Sequence, residues 1–179
     1  IARQRTLPQF ASATFSEWFA KHQAPDFREV VYLFLDTYTQ YQHPELGIAA
    51  VAVLEAAGYR IELVSEQVCC GRPMISKGLL NEAIGLAETN MQALAPYVKA
   101  GVPVIGLEPS CLITLRDEYL DFFPHDPRAK RLAENSFTFE EFLVRSFGSD
   151  SRPIDRIQFR EADVSVLFHN HCYAKALIC

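Results

Sequence analysis

Val30-Val31-Tyr32-Leu33-Phe34-Leu35 is an unbroken run of apolar, β-branched and aromatic residues. A strand covered on both faces has this composition, because neither side needs polar residues for water. The run ends at Asp36-Thr37-Tyr38. Beyond it, Pro44 at a first-turn position opens a predicted helix over 45–57; Ile48, Val51, Ala52 and Leu54 share one face, and Gly58 ends it. Residues 59–64 form a second predicted strand. A long helix is predicted over 76–95, through Leu79, Leu80, Ile84, Leu86 and Leu94; Pro96 bends or breaks its last turn and Gly101 stops it. Residues 102–107 are the third predicted strand. A short helix over 111–119, a loop over 121–126 and helices over 128–134 and 138–147 follow, the last with Phe139, Phe142, Leu143 and Phe147 inward. A surface turn over 148–153 precedes a fourth strand over 164–168.

Toward the N-terminus, Phe15, Trp18 and Phe19 fall at helical spacing over 14–22, with Ser16 or Thr14 as N-cap. This helix packs either onto an upstream domain or onto the core of its own. Strands alternating with helices at this spacing predict an α/β fold: a parallel sheet of about four strands, helices on both faces and right-handed crossovers.

The chain has 179 residues, 49% hydrophobic and 22% charged, with a formal charge of −5. That is enough for one globular core. A net acidic chain offers phosphates no basic stripe, so no nucleic-acid partner is expected. No apolar run approaches the roughly 20 residues that span a bilayer, and residues 1–10 are too polar and basic for a signal peptide. Five cysteines are an odd number, and an adjacent pair is a poor disulfide candidate. A reducing compartment, the cytoplasm, is the expected location. The chain starts at Ile1 and stops within what should be the first turns of a helix, as a segment of a longer polypeptide would.

Four of the five cysteines fall where predicted strands end: Cys69 and Cys70 after the second, Cys111 after the third, Cys172 after the fourth. In an open α/β sheet, ligands collect beyond the carboxyl ends of the strands. Thiols remote in sequence are therefore expected on one rim, with the cysteines at the C-terminal ends of strands. Converging thiolates point to a metal or an iron–sulfur cluster. Adjacent cysteines in an extended segment face opposite sides, so both can reach one group only across a bend, which Gly71 and Pro73 permit. The competing account is two buried structural thiols. His171 is either a metal ligand, a donor to a cluster sulfur, or, like His169, a loop histidine bonded to backbone. Arg72 either offsets negative charge at the thiolates or is a surface charge. Lys77, His22, His43 and His125 read as exposed, and Cys179 has no motif around it. There is no nucleophile elbow, Walker loop, dinucleotide fingerprint or ferredoxin-type cysteine run, so the chain does not look like a free-standing enzyme.

Cys69-Cys70-Gly71 with the lone Cys111 beyond it resembles the cysteine-rich CCG domain family. That family includes a subunit of heterodisulfide reductase and the iron–sulfur subunits of glycolate oxidase, lactate-utilisation and anaerobic glycerol-3-phosphate dehydrogenase systems. The stretches Cys-Cys-Gly-Arg-Pro-Met-Ile-Ser-Lys-Gly-Leu-Leu (69–80) and Gly-Leu-Glu-Pro-Ser-Cys-Leu-Ile-Thr-Leu-Arg-Asp-Glu-Tyr (106–119) are most similar to the C-terminal part of FAD-linked oxidases. In these, a flavin 2-hydroxy-acid dehydrogenase is fused to ferredoxin-like and CCG domains. The resemblance runs from about residue 8 to residue 179.

The family's fullest pattern has two repeats, each a first Cys, then Cys-Cys-Gly, then Cys-x-x-Cys. By position, Cys69 and Cys70 match the pair and Cys111 the last Cys, while Cys172 in His-Asn-His-Cys resembles the first Cys of a second repeat. Asp36-Thr37-Tyr38 stands where the first Cys belongs, and Glu108 where Cys-x-x-Cys begins. Three thiolates remain, against the four an ordinary four-iron cluster takes. Cys172, His171, Glu108, Asp36 or a residue beyond this chain would complete the site.

The resemblance implies a 4Fe–4S-type iron–sulfur cluster, with zinc as the alternative metal. It divides the chain into a lead-in helix (1–26), a first CCG repeat domain (27–163) and the start of a second, truncated repeat (164–179). It implies an electron-transfer module of a flavin-linked 2-hydroxy-acid dehydrogenase. Electrons would leave FAD on an absent domain, pass ferredoxin-like domains or subunits, and reach a quinone or protein acceptor; peripheral contact of the full protein with the inner face of a membrane stays open. The alternative is a structural zinc-binding or metal-free assembly domain of the same complex.

Overall fold

The computed structural model describes residues 6–145 and 151–177. Four parallel strands form one sheet: β1 (Glu29–Phe34), β2 (Tyr59–Glu62), β3 (Val104–Gly106) and β4 (Ser136–Thr138), in the order β2-β1-β3-β4. Val31 lies opposite Ile61, Leu33 opposite Ile105 and Ile105 opposite Phe137. Central β1 is buried from Val31 to Phe34, as its unbroken apolar composition predicts.

The alternation of side chains across the sheet divides the core in two. Val31, Leu33, Ile61, Ile105 and Phe137 face one layer, built by α1 (Phe15–Phe19), α3 (Pro44–Ala56) and α9 (Phe139–Val144). Tyr32, Phe34 and Val104 face the other, built by α5 (Leu80–Lys99), α6 (Pro109–Arg116), α7 (Glu118–Phe122) and α8 (Pro127–Glu134). Two short helices complete the strand-end rim, α2 (Thr37–Tyr41) and α4 (Arg72–Ser76), and α10 (Cys172–Leu177) lies beside α6.

The helix over 14–22 belongs to this core: Phe15 is fully buried and covers Gly47 of α3 so closely that an added Cβ there would meet its ring at 2.5 Å. Its N-cap is Thr14, in a capping box with Glu17.

Several elements differ from expectation. Residues 164–168 are not a strand; Val164, Val166, Leu167 and Phe168 are 70–98% exposed. An apolar run becomes a strand only where a neighbour takes its backbone N–H and C=O groups, and this run pairs with neither β2 nor β4. The fourth strand is β4, three residues long and too short for periodicity to reveal. It is held by pairing with β3, by the Ser136 hydroxyl on the Leu132 carbonyl at 2.7 Å, and by Thr138, which caps α9.

The helix over 76–95 is two. Gly78, at φ +75°, separates α4 from α5, which runs through Pro96 to Lys99. The helix over 111–119 starts earlier, at Pro109, and breaks at Asp117, so that α7 occupies the start of the expected loop. Asp36-Thr37-Tyr38, where the strand was expected to end, opens a short helix, α2, that the periodicity does not show. Phe147 and the first half of the turn over 148–153 lie outside the described residues.

Candidate metal centre

The carboxyl ends of β1, β2 and β3 open onto one cavity of about 610 Å³. Cys69, Cys70 and Cys111 line it, with Asp36, Thr37, Gln40 and Tyr41 of the β1–α2 side opposite Ser65, Gln67 and Val68 of the β2–α4 loop. Cys70 is the thiol that both others influence: Cys69 and Cys111 each act on its proton. Cys70 is buried, and Cys69 and Cys111 are partly exposed.

Each thiol arrives by a separate local device. After β2 the chain turns at Ser65–Glu66, runs without helix or strand to Cys70, then turns sharply at Gly71, whose φ of +90° suits glycine and which caps α4. Arg72 and Pro73 open the helix. This is the bend that two adjacent thiols need to reach one cavity. Cys111 sits in the first turn of α6, which lies hard against β3: a Cβ on Gly106 would meet Leu112 Cβ and Cδ1 at 2.8 Å. Gln67 ties the β2–α4 loop to the end of β1. Its amide donates to the Leu35 carbonyl at 2.7 Å, and its oxygen accepts from Leu35 N–H at 2.9 Å and from the Tyr32 hydroxyl at 2.6 Å.

The two carboxylates that stand where further thiols would complete the cysteine pattern do a different job. Asp36 is buried; Oδ1 accepts from the Tyr38 and Thr39 N–H groups, and Oδ2 from the Thr39 hydroxyl at 2.6 Å. Glu108 Oε1 accepts from the Ser110 N–H and hydroxyl. Both are helix N-caps, of α2 and α6, and such a cap satisfies donors the helix leaves orphaned. Asp36 also lines the cavity; Glu108 does not.

His171 lies 3.8 Å from Glu108, and Cys172 is exposed at the start of α10; neither lines the cavity. Arg72 is no free surface charge: it is ion-paired with Glu118 and its guanidinium stacks over the Tyr173 ring at 4.3 Å, while Tyr173 donates to the same carboxylate at 2.9 Å. His22, expected to be exposed, is half-buried, bonded to Glu55 at 2.7 Å and stacked on Trp18. His43, His125 and Lys77 are exposed, as expected.

Cys69 and Cys70 hold their protons. Hydrogen bonding to Cys111, reinforced by burial, pushes the Cys70 thiol up to about 12 despite the opposing contact with Cys69. The hydrogen bond with Cys70, then burial, raises Cys69 above the thiol range. A soft cation would displace these protons, since thiolate is the ligand. Among the described residues, no three His, Cys, Asp or Glu side chains gather as tightly as a single ion requires. Three thiols lining one roomy cavity are the donor type that a larger inorganic core takes.

Two residues outside the cysteine pattern support the site. Asn90 of α5 and Tyr119 of α7, both fully buried, hold the Val68–Cys70 backbone. The signal available in the sequence was a lone Asn in the buried row Ala83, Ala87, Met91, Leu94 of α5.

Residues 36–116 match the family model described as the CCG cysteine-rich domain. Among curated proteins, the chain is 34% identical over 134 residues to a subunit of the anaerobic glycerol-3-phosphate dehydrogenase of Escherichia coli strain K12, covering 73% of this chain and 34% of that protein. It is 29% identical to a subunit of the fumarate reductase (CoM/CoB) of Methanothermobacter marburgensis, over 78% of this chain and 25% of that one. It is 32% identical to lactate utilization protein A of Bacillus pumilus, over 64% and 48%. The chain thus spans between a quarter and a half of these relatives' length. The adjacent thiols, the left-handed glycine that turns the chain after them and the third thiol at the next strand end all fall inside the matched span, and the chain belongs to the CCG cysteine-rich domain family.

Proposed function

We propose that this chain is the electron-transfer module of a flavin-linked 2-hydroxy-acid dehydrogenase of the glycolate or lactate oxidase type, holding an iron–sulfur cluster at Cys69, Cys70 and Cys111. The observation that carries this reading is the meeting of those three thiols, from two different strand ends, on one cavity wall. The relatives' printed names, a dehydrogenase subunit, a reductase subunit and a lactate utilization protein, support redox work within a larger assembly. When bound, such a cluster supplies one-electron chemistry. The protein supplies thiolates, an apolar wall from Phe34 and Val64, and a rigid frame.

FAD would sit on another domain or subunit, with ferredoxin-like clusters between it and this site and a quinone or protein beyond it. Residues 164–179 would begin a second repeat. The exposed apolar run at 164–168 followed by Cys172 at a helix start parallels apolar β1 followed by Asp36 at the start of α2. That parallel supports Cys172, with His171, as ligands of a second site rather than of the first.

A second reading, a structural zinc or metal-free assembly domain in the same complex, draws support from Asp36 and Glu108. Both carboxylates stand at expected thiol positions and are spent on helix caps. Anaerobic iron, sulfide and zinc analysis of the full-length polypeptide, wild type and Cys70→Ser, separates the two. The electron-transfer reading expects iron and sulfide in wild type, a reducible paramagnetic signal, and loss of both in C70S with the fold retained. Stoichiometric zinc without iron would overturn it.

A further inference from the structure

Between β2 and α4 the backbone of Val68, Cys69 and Cys70 belongs to no helix or strand, and no strand pairs with it. Irregular backbone beside a core must still satisfy its polar groups. Two side chains do so. Asn90 Oδ1 accepts from the Val68 N–H at 3.0 Å, and Asn90 Nδ2 donates to the Cys69 carbonyl at 3.1 Å. The Tyr119 hydroxyl donates to the Cys70 carbonyl at 3.0 Å and accepts from Asn90 Nδ2 at 3.1 Å. Three consecutive residues of the loop are thus fastened to α5 and α7 through one continuous network.

Neither residue is needed there for packing. Asn90 stands in an otherwise apolar buried row, where an uncompensated amide is costly and a leucine would serve the core. The Tyr119 ring fills its place with or without the hydroxyl. What the two polar groups add is a fixed position for the peptide planes that carry the paired thiols. Cys111 is held otherwise, by α6 against Gly106 of β3, and touches neither side chain's hydrogen bonds.

We propose that Asn90 and Tyr119 are positioning residues for the cysteine pair: by clamping the Val68–Cys70 backbone they fix where the Cys69 and Cys70 thiols stand along the cavity wall. The inference deepens the metal-centre reading but does not require metal.

The test uses the full-length polypeptide, reduced and chelator-treated under anaerobic conditions, as wild type, Tyr119→Phe and Asn90→Leu. Each cysteine's rate of alkylation by N-ethylmaleimide is read by peptide mapping at one pH, beside a thermal melt. Losing a buried hydrogen bond frees the loop to open locally, so Cys69 and Cys70 should react about tenfold faster in both variants, with Cys111, which loses only its contact with Cys70, accelerated clearly less. A general structural role would raise all three rates together as the melting temperature falls; that pattern, or unchanged rates at Cys69 and Cys70 in Tyr119→Phe, overturns the proposal. Because the readout is the free thiols, a polypeptide that binds no iron still tests the clamp.

Discussion

Replacing Gly106 by alanine tests how Cys111 reaches the cavity. Gly106 has an ordinary negative-φ backbone, so alanine there is conformationally permitted, and by removing freedom from the unfolded chain it would ordinarily stabilise by about 0.4–1 kcal/mol. The packing argues the opposite sign. The new methyl group would stand 2.8 Å from both Cβ and Cδ1 of Leu112, and 3.2 Å from its Cγ. Carbon atoms in good contact are about 3.5–4.0 Å apart, so α6 must withdraw by roughly 1 Å. Overpacking of this kind costs about 1–3 kcal/mol, which for a domain of this size lowers the melting temperature by about 2–4 °C per kcal/mol. Because α6 carries Cys111 in its first turn, the same shift loosens the Cys70–Cys111 contact. The assay is thermal and urea unfolding followed by far-UV circular dichroism, with iron content as a second readout. Trimming Leu112 to alanine gives only partial relief, since its Cβ remains at 2.8 Å; Gly106→Ala should still destabilise in that background. An unchanged or raised melting temperature in either background would refute the close helix–strand approach.

Gln67→Ala removes all three bonds that tie the cavity's two walls and leaves both polar groups of Leu35 unpaired. A cost of about 1–3 kcal/mol is expected, with faster exchange of the Leu35 amide; a protected amide would show that the tie is dispensable. Burial pushes the Tyr59 hydroxyl up to about 12, against an ordinary 10.0, and raises Tyr32 and Tyr119 further. The folded value lies above the unfolded one in each case, so this stability is intact below about pH 10 and is lost as pH climbs toward 12. Tyrosinate absorbance and circular dichroism should change together in that window; full ionisation near pH 10 with the fold intact would contradict the burial.

The apolar run of β1 and the glycine and proline punctuation were enough to read an α/β sheet with its cysteines on the strand-end rim, because each signal is local. A strand covered on both faces shows in its own composition, and Gly71 marks its own bend. The exposed run at 164–168 shows the limit of that logic. Its composition is a strand's, but pairing depends on a neighbour, and the short, half-polar β4 is the strand that has one.

What the sequence by itself determined was the chemistry available: three thiols after strand ends, a glycine between the pair and the next helix, and a family resemblance carried by those residues. Only the tertiary structure decided which groups meet. It brought Cys111 beside Cys70, left Cys172 and Glu108 off the cavity, spent Asp36 and Glu108 on helix caps, and recruited Asn90 and Tyr119 to hold the loop. The reason is that a hydrogen bond or thiol contact between residues tens of positions apart has no period in the chain. It exists only once the sheet order and the packing of α5, α6 and α7 have set the distances.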